Sequence, residues 1–405
     1  MKKILALVLV LAMALTLAAC GGSAAPAETT APAATETTAA ASEAAETPEA
    51  PAELSGTLKV SLWDLATQPA FSAAIDAFTA ANPGVTVEPI DVPSADYTTK
   101  LSVMLNGGSD LDVFWVKDAN TLYDLQERGQ TADLTSYIER DGVNLADYNG
   151  LADGFNFDGK QVALPFRTDY YVLFYNKDIF DAAGVDYPSN DMTWAQFDEL
   201  ARKVTSGEGT EKKYGAHFHT WQALVQNWGV QDGKNTIMAT DYSFFKPYYE
   251  MILGMQNDGI CMDFGTLKSA GIHYSAAFAN GSVAMMPMGT WYAATIIDSI
   301  NKGESDVNWG IATIPHPESM PAGSSVGSTT PLCVNESSAN KDLAWEFVKF
   351  ACSEEGAMAV ANTGAFPARL DESVLEVICS VPGMPENAKE VLAEMGELSA
   401  EIQAG

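Results

Sequence analysis

Positive charge is scarce in this chain. Its 405 residues carry 22 Lys and Arg against 53 Asp and Glu, a formal net charge of −31. Phosphate backbones are gripped by Lys and Arg, so this balance argues against nucleic acid as a partner. It equally opposes charge-driven docking on anionic lipid. Cysteine is also scarce: five residues, none in a CxxC pair. A structural zinc needs close ligand pairs, so no zinc site is expected. HExxH, the Walker A loop, the G-x-G-x-x-G fingerprint and the EF-hand loop are all missing. His217 and His219 would share one face of a strand, yet nothing beside them completes a metal set. No cofactor or metal is expected. Residues 323–327 do fit G-x-S-x-G, but every histidine lies upstream of Ser325 and a strand follows where a hydrolase elbow needs a helix. That segment reads as a flexible Gly/Ser turn, and no enzymatic activity is expected.

Long apolar runs are missing as well, with one exception. After Lys2 and Lys3, residues 4–19 are apolar apart from Thr16, which is short for a membrane span and has the layout of an export signal. The run ends in Leu17-Ala18-Ala19-Cys20, then Gly21-Gly22. This resembles a bacterial lipobox, which implies cleavage after residue 19 and acylation of Cys20; an ordinary cleavage site is the alternative. Residues 20–54 contain no aromatic residue and consist almost wholly of Ala, Thr, Glu, Pro, Ser and Gly. Such a stretch cannot bury enough apolar surface to offset its chain entropy, so it reads as a tether. About 350 residues remain, which predicts two domains. Cys261, Cys333, Cys352 and Cys379 read as buried thiols. A Cys333–Cys352 bridge is the alternative that an oxidising compartment leaves open.

Periodicity predicts an α/β fold. Residues 56–63 alternate as a strand, and 69–81 show helical spacing that stops at Asn82-Pro83-Gly84. A strand over 85–90, a helix over 97–105 and a strand over 111–116 follow. This alternation points to a parallel sheet. The pattern then repeats, with strands at 170–175, 214–218, 283–288, 307–314 and 330–334. Helices are expected at 177–183, from Thr193 onward, at 244–256, 342–352 and 385–402.

Several islands resemble one family, the type 1 extracellular solute-binding proteins of ABC importers, to which the maltose-binding protein belongs. Lys59-Val60-Ser61-Leu62-Trp63 is similar to the family's opening strand. Asn82-Pro83-Gly84-Val85, Gly108-Ser109-Asp110, Phe174-Tyr175-Asn176-Lys177, Thr193-Trp194, Gly289-Thr290-Trp291 and Ala344-Trp345-Glu346-Phe347 follow in the family's order. The resemblance implies a two-lobe periplasmic-binding-protein-like fold (type II) with a ligand cleft between lobes joined by hinge crossings. Lobe one would comprise 55–168 plus 317–360, and lobe two 169–316 plus 361–405. It also implies capture of a carbohydrate by a monomer and delivery to permease subunits at the membrane, where Cys20 would hold the protein.

A sugar presents apolar faces and a hydroxyl rim, so its site needs aromatic platforms and planar polar groups. By position relative to the family's motifs and the strand ends, the ligand residues expected are Trp291, Trp115, Asp118, Asp64, Asp169, Arg167, Tyr171, Trp221, Trp228 and Arg369. Trp63 reads as core. An Arg167–Asp169 hinge ion pair is the competing reading for those two residues. Two other functions stand beside the carbohydrate reading: the same fold holding a polyamine or another small polar solute, and a surface-anchored enzyme or adhesin acting on polysaccharide.

Overall fold

The computed structural model describes residues 53–393. The export segment, Cys20, nearly all of the tether and the last part of the helix expected over 385–402 lie outside the described residues; residues 388–393 are helical.

Nine strands are present among the described residues. β1 (Gly56–Trp63), β2 (Val85–Val92) and β3 (Val113–Trp115) come first. β4 (Asn156–Phe157) and β5 (Lys160–Gln161) form a separate small hairpin. β6 (Leu164–Asn176), β7 (Met285–Gly289), β8 (Trp309–Thr313) and β9 (Gly327–Val334) follow. The large sheet runs β2-β1-β3-β9-β6-β7, with β8 also on β6. β1 pairs in parallel with both β2 and β3. The rest differs from a repeated parallel pattern: β9 is antiparallel to β3 and β6, and β6 is antiparallel to β7 and β8. A parallel neighbour needs a crossover that returns the chain to the same end. Between β6 and β7 the chain instead makes a long helical excursion and comes back from the opposite end.

Local chemistry explains the helices that flank this sheet. Helix Pro69–Ala81 starts with proline in its first turn, buries Ala70, Phe71, Ala74, Ile75 and Phe78, and ends where Asn82 closes back on the Phe78 carbonyl. Helix Trp194–Val204 opens on a capping box between Thr193 and Gln196. The strand expected over 214–218 is reduced to isolated contacts, a bridge from Tyr214 to Val283 and the His217 N–H donating to the Met285 carbonyl at 2.9 Å. Gly215 accounts for this. A Cβ there would fall 1.9 Å from the Ala201 carbonyl oxygen, so the backbone is pressed against helix Trp194–Val204.

Apolar side chains gather into two cores. The first draws on residues between Leu58 and Phe166 and between Leu332 and Ala368, with Ala294 added. The second draws on residues between Tyr171 and Ile314 and between Ala361 and Leu392. Three adjacent segments pass between them. β6 pairs with β9 over Leu164–Tyr170 and with β7 and β8 beyond Tyr171. β9 leaves the second core near Val326 and enters the first at Leu332. The third segment is clipped to β6 by hydrogen bonds from Thr168 N–H to the Phe366 carbonyl (3.1 Å) and from Ala368 N–H to the Phe166 carbonyl (3.0 Å). A side-chain bond from Thr295 Oγ1 to the Thr67 carbonyl (2.8 Å) also joins the two halves. Cys261, Cys333 and Cys352 are buried, Cys379 is half-buried, and all four are free thiols, so no Cys333–Cys352 bridge forms.

Candidate ligand-binding cleft

Between the two cores lies a cavity of about 800 Å³. One wall is built at the carboxyl ends of the three parallel strands, the place where open α/β sheets hold ligands. Trp63 and Asp64 end β1, Ser94 follows β2, and Lys117 and Asp118 follow β3. Asp64 sits in the left-handed region at φ +50°, an uncommon backbone for a non-glycine residue. Its Oδ1 accepts from the Ser94 N–H at 2.8 Å. Ser94 in turn holds Lys117, whose Nζ donates to the Ser94 carbonyl (2.6 Å) and to Oγ (2.5 Å). The ammonium lies over the rings of Trp63 (5.2 Å) and Tyr97 (5.8 Å). Burial lowers the Lys117 pKa to about 8, against the opposing pull of Asp64 and Asp118.

The opposite wall is made of rings. Trp291 is the first residue of helix Trp291–Asn301, two residues past the end of β7, and its Nε1 donates to the Tyr274 hydroxyl at 3.1 Å. Tyr171 on β6 stands edge-on to it at 5.6 Å and 83°. Trp221 contacts both Tyr274 (5.2 Å) and Trp291 (6.2 Å). Gly289 makes room for this arrangement, since a Cβ there would lie 1.9 Å from the Trp291 ring. His219 and His273 continue the wall at 5.4 Å from each other. Burial lowers the His219 pKa to about 3, helped by His273, His217 and Lys268, and it also lowers that of His273, with Lys117 adding to the effect.

At the floor, Arg167 and Asp169 are almost fully buried and form an ion pair, Nε to Oδ2 at 2.8 Å. Thr290 Oγ1 donates to Asp169 Oδ1 at 3.0 Å, and Arg167 Nη1 donates to Gln68 Oε1 at 3.1 Å. Burial raises the Asp169 pKa while Arg167 and Thr290 oppose the rise. The hinge ion pair and a place on the cavity lining are therefore both true of these residues.

Of the residues expected from sequence, Asp64, Asp118, Arg167, Asp169, Tyr171, Trp221 and Trp291 line this one cavity. Three do not. Trp115 is wholly buried in the first core against Phe71 (4.8 Å) and Phe166 (5.2 Å). The chain leaves the short β3 at that residue, so Lys117, two positions on, is the side chain that reaches the cleft. Trp228 is wholly buried behind Tyr171 and against Trp194 at 4.7 Å. Arg369 lies away from the cavity, paired with Asp147 at 2.7 Å and Glu354 at 3.6 Å. Asp118 lines the cavity, but both of its oxygens are engaged by Thr121, where it caps helix Ala119–Glu127. Trp63, read as core, is buried in the first core against Phe71 and Tyr97 and also lines the cavity. Lys117, Tyr274 and His273 were not anticipated. Only Lys117 left a sequence signal, a basic residue directly after a strand in an acid-rich chain.

This geometry, a cleft between two halves joined by three chain crossings, recurs in known proteins. A sugar transporter from Rhizobium etli, solved in an open conformation, is 45% identical with a TM-score of 0.66 over 84% of this chain and 87% of that one. A Listeria monocytogenes ABC substrate-binding protein in complex with cycloalternan shares the fold at 24% identity and a TM-score of 0.71, over 84% and 86%. The lactose-binding protein of Rhizobium radiobacter is 27% identical over 319 residues, 73% of this chain and 70% of that protein. The family model for bacterial extracellular solute-binding proteins matches residues 63–358, a span that opens at the cavity's Trp63 and closes beyond β9. A match of that extent over two hinged halves and the cleft between them makes this chain a member of the bacterial extracellular solute-binding protein family.

Proposed function

We propose that this protein captures a carbohydrate outside the cytoplasm and delivers it to the permease of an ABC importer. The observation that carries this reading is the pairing of an aromatic wall with a polar wall across one cavity. Rings suit the apolar faces of a sugar, and carboxylates, guanidinium and ammonium suit its hydroxyls. The sugar transporter and the lactose-binding protein among its relatives support the same ligand class. Trp291, Tyr171 and Trp221 serve as platforms, Asp64 takes hydroxyls, and the buried Arg167–Asp169 pair forms the floor beneath the ligand. The lobes are 55–168 plus 317–360 and 169–316 plus 361–405, and they close on the ligand about the three crossing segments, driven by its higher affinity for the closed form. The protein works as a monomer, and Cys20 carries a lipid that keeps it at the extracytoplasmic face of the membrane. It binds without turning its ligand over.

Thermal unfolding of the protein against neutral sugars, alditols, sugar acids and polyamines tests the reading. A ligand at about 100 times its dissociation constant adds roughly 2.7 kcal/mol of stability, a readily visible shift in Tm. A shift with a saccharide supports the proposal. A shift with polyamines alone overturns the ligand class.

A further inference from the structure

The charge balance of the cleft differs from that of the chain as a whole. The whole sequence carries a net −31. The cavity lining carries Asp64, Asp118 and Asp169 against Lys117, Arg167 and Lys268, which is parity. Asp169 is already paired with Arg167, and Asp118 is taken up by Thr121. What remains on the polar wall is a linked pair, Asp64 and Lys117, joined through Ser94. Each has capacity left over. Lys117 has three N–H donors, two of them engaged by Ser94. Among the described residues, Asp64 accepts through Oδ1, and no donor meets Oδ2. One acceptor and one donor therefore stand side by side, held by loops from the ends of β1, β2 and β3. His273 faces them from the ring wall, near enough to both to feel their charges.

Resting on the carbohydrate reading, we infer that Lys117 is a ligand contact and that Asp64 and Lys117 together read two adjacent hydroxyls of an uncharged sugar. The carboxylate accepts from one hydroxyl and the ammonium donates to its neighbour. A vicinal diol offers that complement without altering the charge parity. A polyamine would bring positive charge to Lys117. A sugar acid would bring its carboxylate to Asp64 and Asp118 as well as to Lys117.

The groups facing Lys117 are Asp64, Asp118 and His273, with Trp63 and Tyr97 beneath its ammonium. With its pKa held at about 8, the ammonium loses its proton at mildly alkaline pH, where His273, its own pKa lowered by burial, is neutral. Affinity that depends on the ammonium must then fall.

The test is calorimetric titration of the protein with lactose, maltose, galactose, mannitol, galacturonate and spermidine, followed by a pH series with the tightest binder. Losing a charged hydrogen bond predicts a Kd about tenfold or more weaker at about pH 9.5 than at about pH 7. Lys117→Met is expected to weaken binding by a similar factor at neutral pH and to flatten the profile, with Lys117→Arg restoring affinity without the alkaline loss. The wild-type profile needs no variant to fold. A profile that stays flat overturns this inference and leaves the carbohydrate reading standing, as does galacturonate binding more tightly than galactose. Failure of every neutral saccharide and alditol to bind overturns both.

Discussion

The two walls of the candidate cleft offer a ligand opposite chemistry. The wall at the ends of β1, β2 and β3 is charged and knitted by hydrogen bonds, with Asp64, Ser94 and Lys117 in one chain of contacts. The facing wall is a continuous pack of rings, Tyr171, Trp221, Tyr274 and Trp291, with one internal hydrogen bond from Trp291 to Tyr274. Stacking on rings depends little on which hydroxyl points where. Hydrogen bonds with fixed direction depend on it strongly. The ring wall should therefore set how tightly any saccharide is held, and the polar wall which saccharide it is.

The comparison breaks most readily at Trp291. Trp291→Ala should cost about 2 kcal/mol or more of binding, roughly thirtyfold in Kd, for every saccharide that binds. Calorimetry across several sugars checks this, with unchanged circular dichroism as the sign that the fold persists. Gly289→Ala attacks the same wall indirectly. Its added methyl would collide with the Trp291 ring, so the ring must shift. Binding should weaken about tenfold, with a stability loss within the roughly 1–3 kcal/mol typical of overpacking. Equal losses across the panel would support the division of labour, whereas a loss confined to one sugar would break it.

Acid sharpens the comparison by acting behind the ring wall. His217 is buried and its pKa is lowered to about 4, chiefly by burial and then by His273. Its folded value lies below the ordinary value of about 6.5, so the folded state keeps it neutral while the unfolded chain takes up a proton. Stability is then full above about pH 6.5 and declines as pH falls toward about 4, by about 2–3 kcal/mol from this group. His219, lowered to about 3, extends the decline. Chemical denaturation at stepped pH should show a shallower slope in His217→Gln. Asp118→Ala is the mildest change. Because Asp118 is occupied as a helix cap, its loss should cost about 1 kcal/mol of stability and leave Kd within about twofold, read by denaturation and calorimetry.

Much of the framework was legible because local rules decide it. Helix Pro69–Ala81 ends where Asn82-Pro83 must end it, and Thr193 with Gln196 announces the next helix start. Strand β1 could be read from its alternation. A place on the cavity lining was legible where a residue lies one or two positions past a strand, as Asp64 and Trp291 do. Legibility failed where burial depends on distant partners. Trp115 is claimed by Phe71, Phe166 and Phe347, the last from a helix more than 200 residues away. Trp228 is likewise claimed by Trp194. Tyr274 and His273 belong to no motif, and only the long excursion between β6 and β7 brings them to the cleft. The antiparallel half of the sheet was hidden for the same reason, since strand direction is decided by what happens between strands.

One feature of that sheet bears on how the molecule moves. β6 is a single strand of 13 residues, paired with β9 at one end and with β7 and β8 at the other. No loop interrupts it between the two cores. The closure proposed above would therefore bend a continuous ribbon, as a leaf spring flexes without parting its leaves, and the pairing irregularity between Pro165 and Arg167 is the place on β6 where the ladder is already loosened.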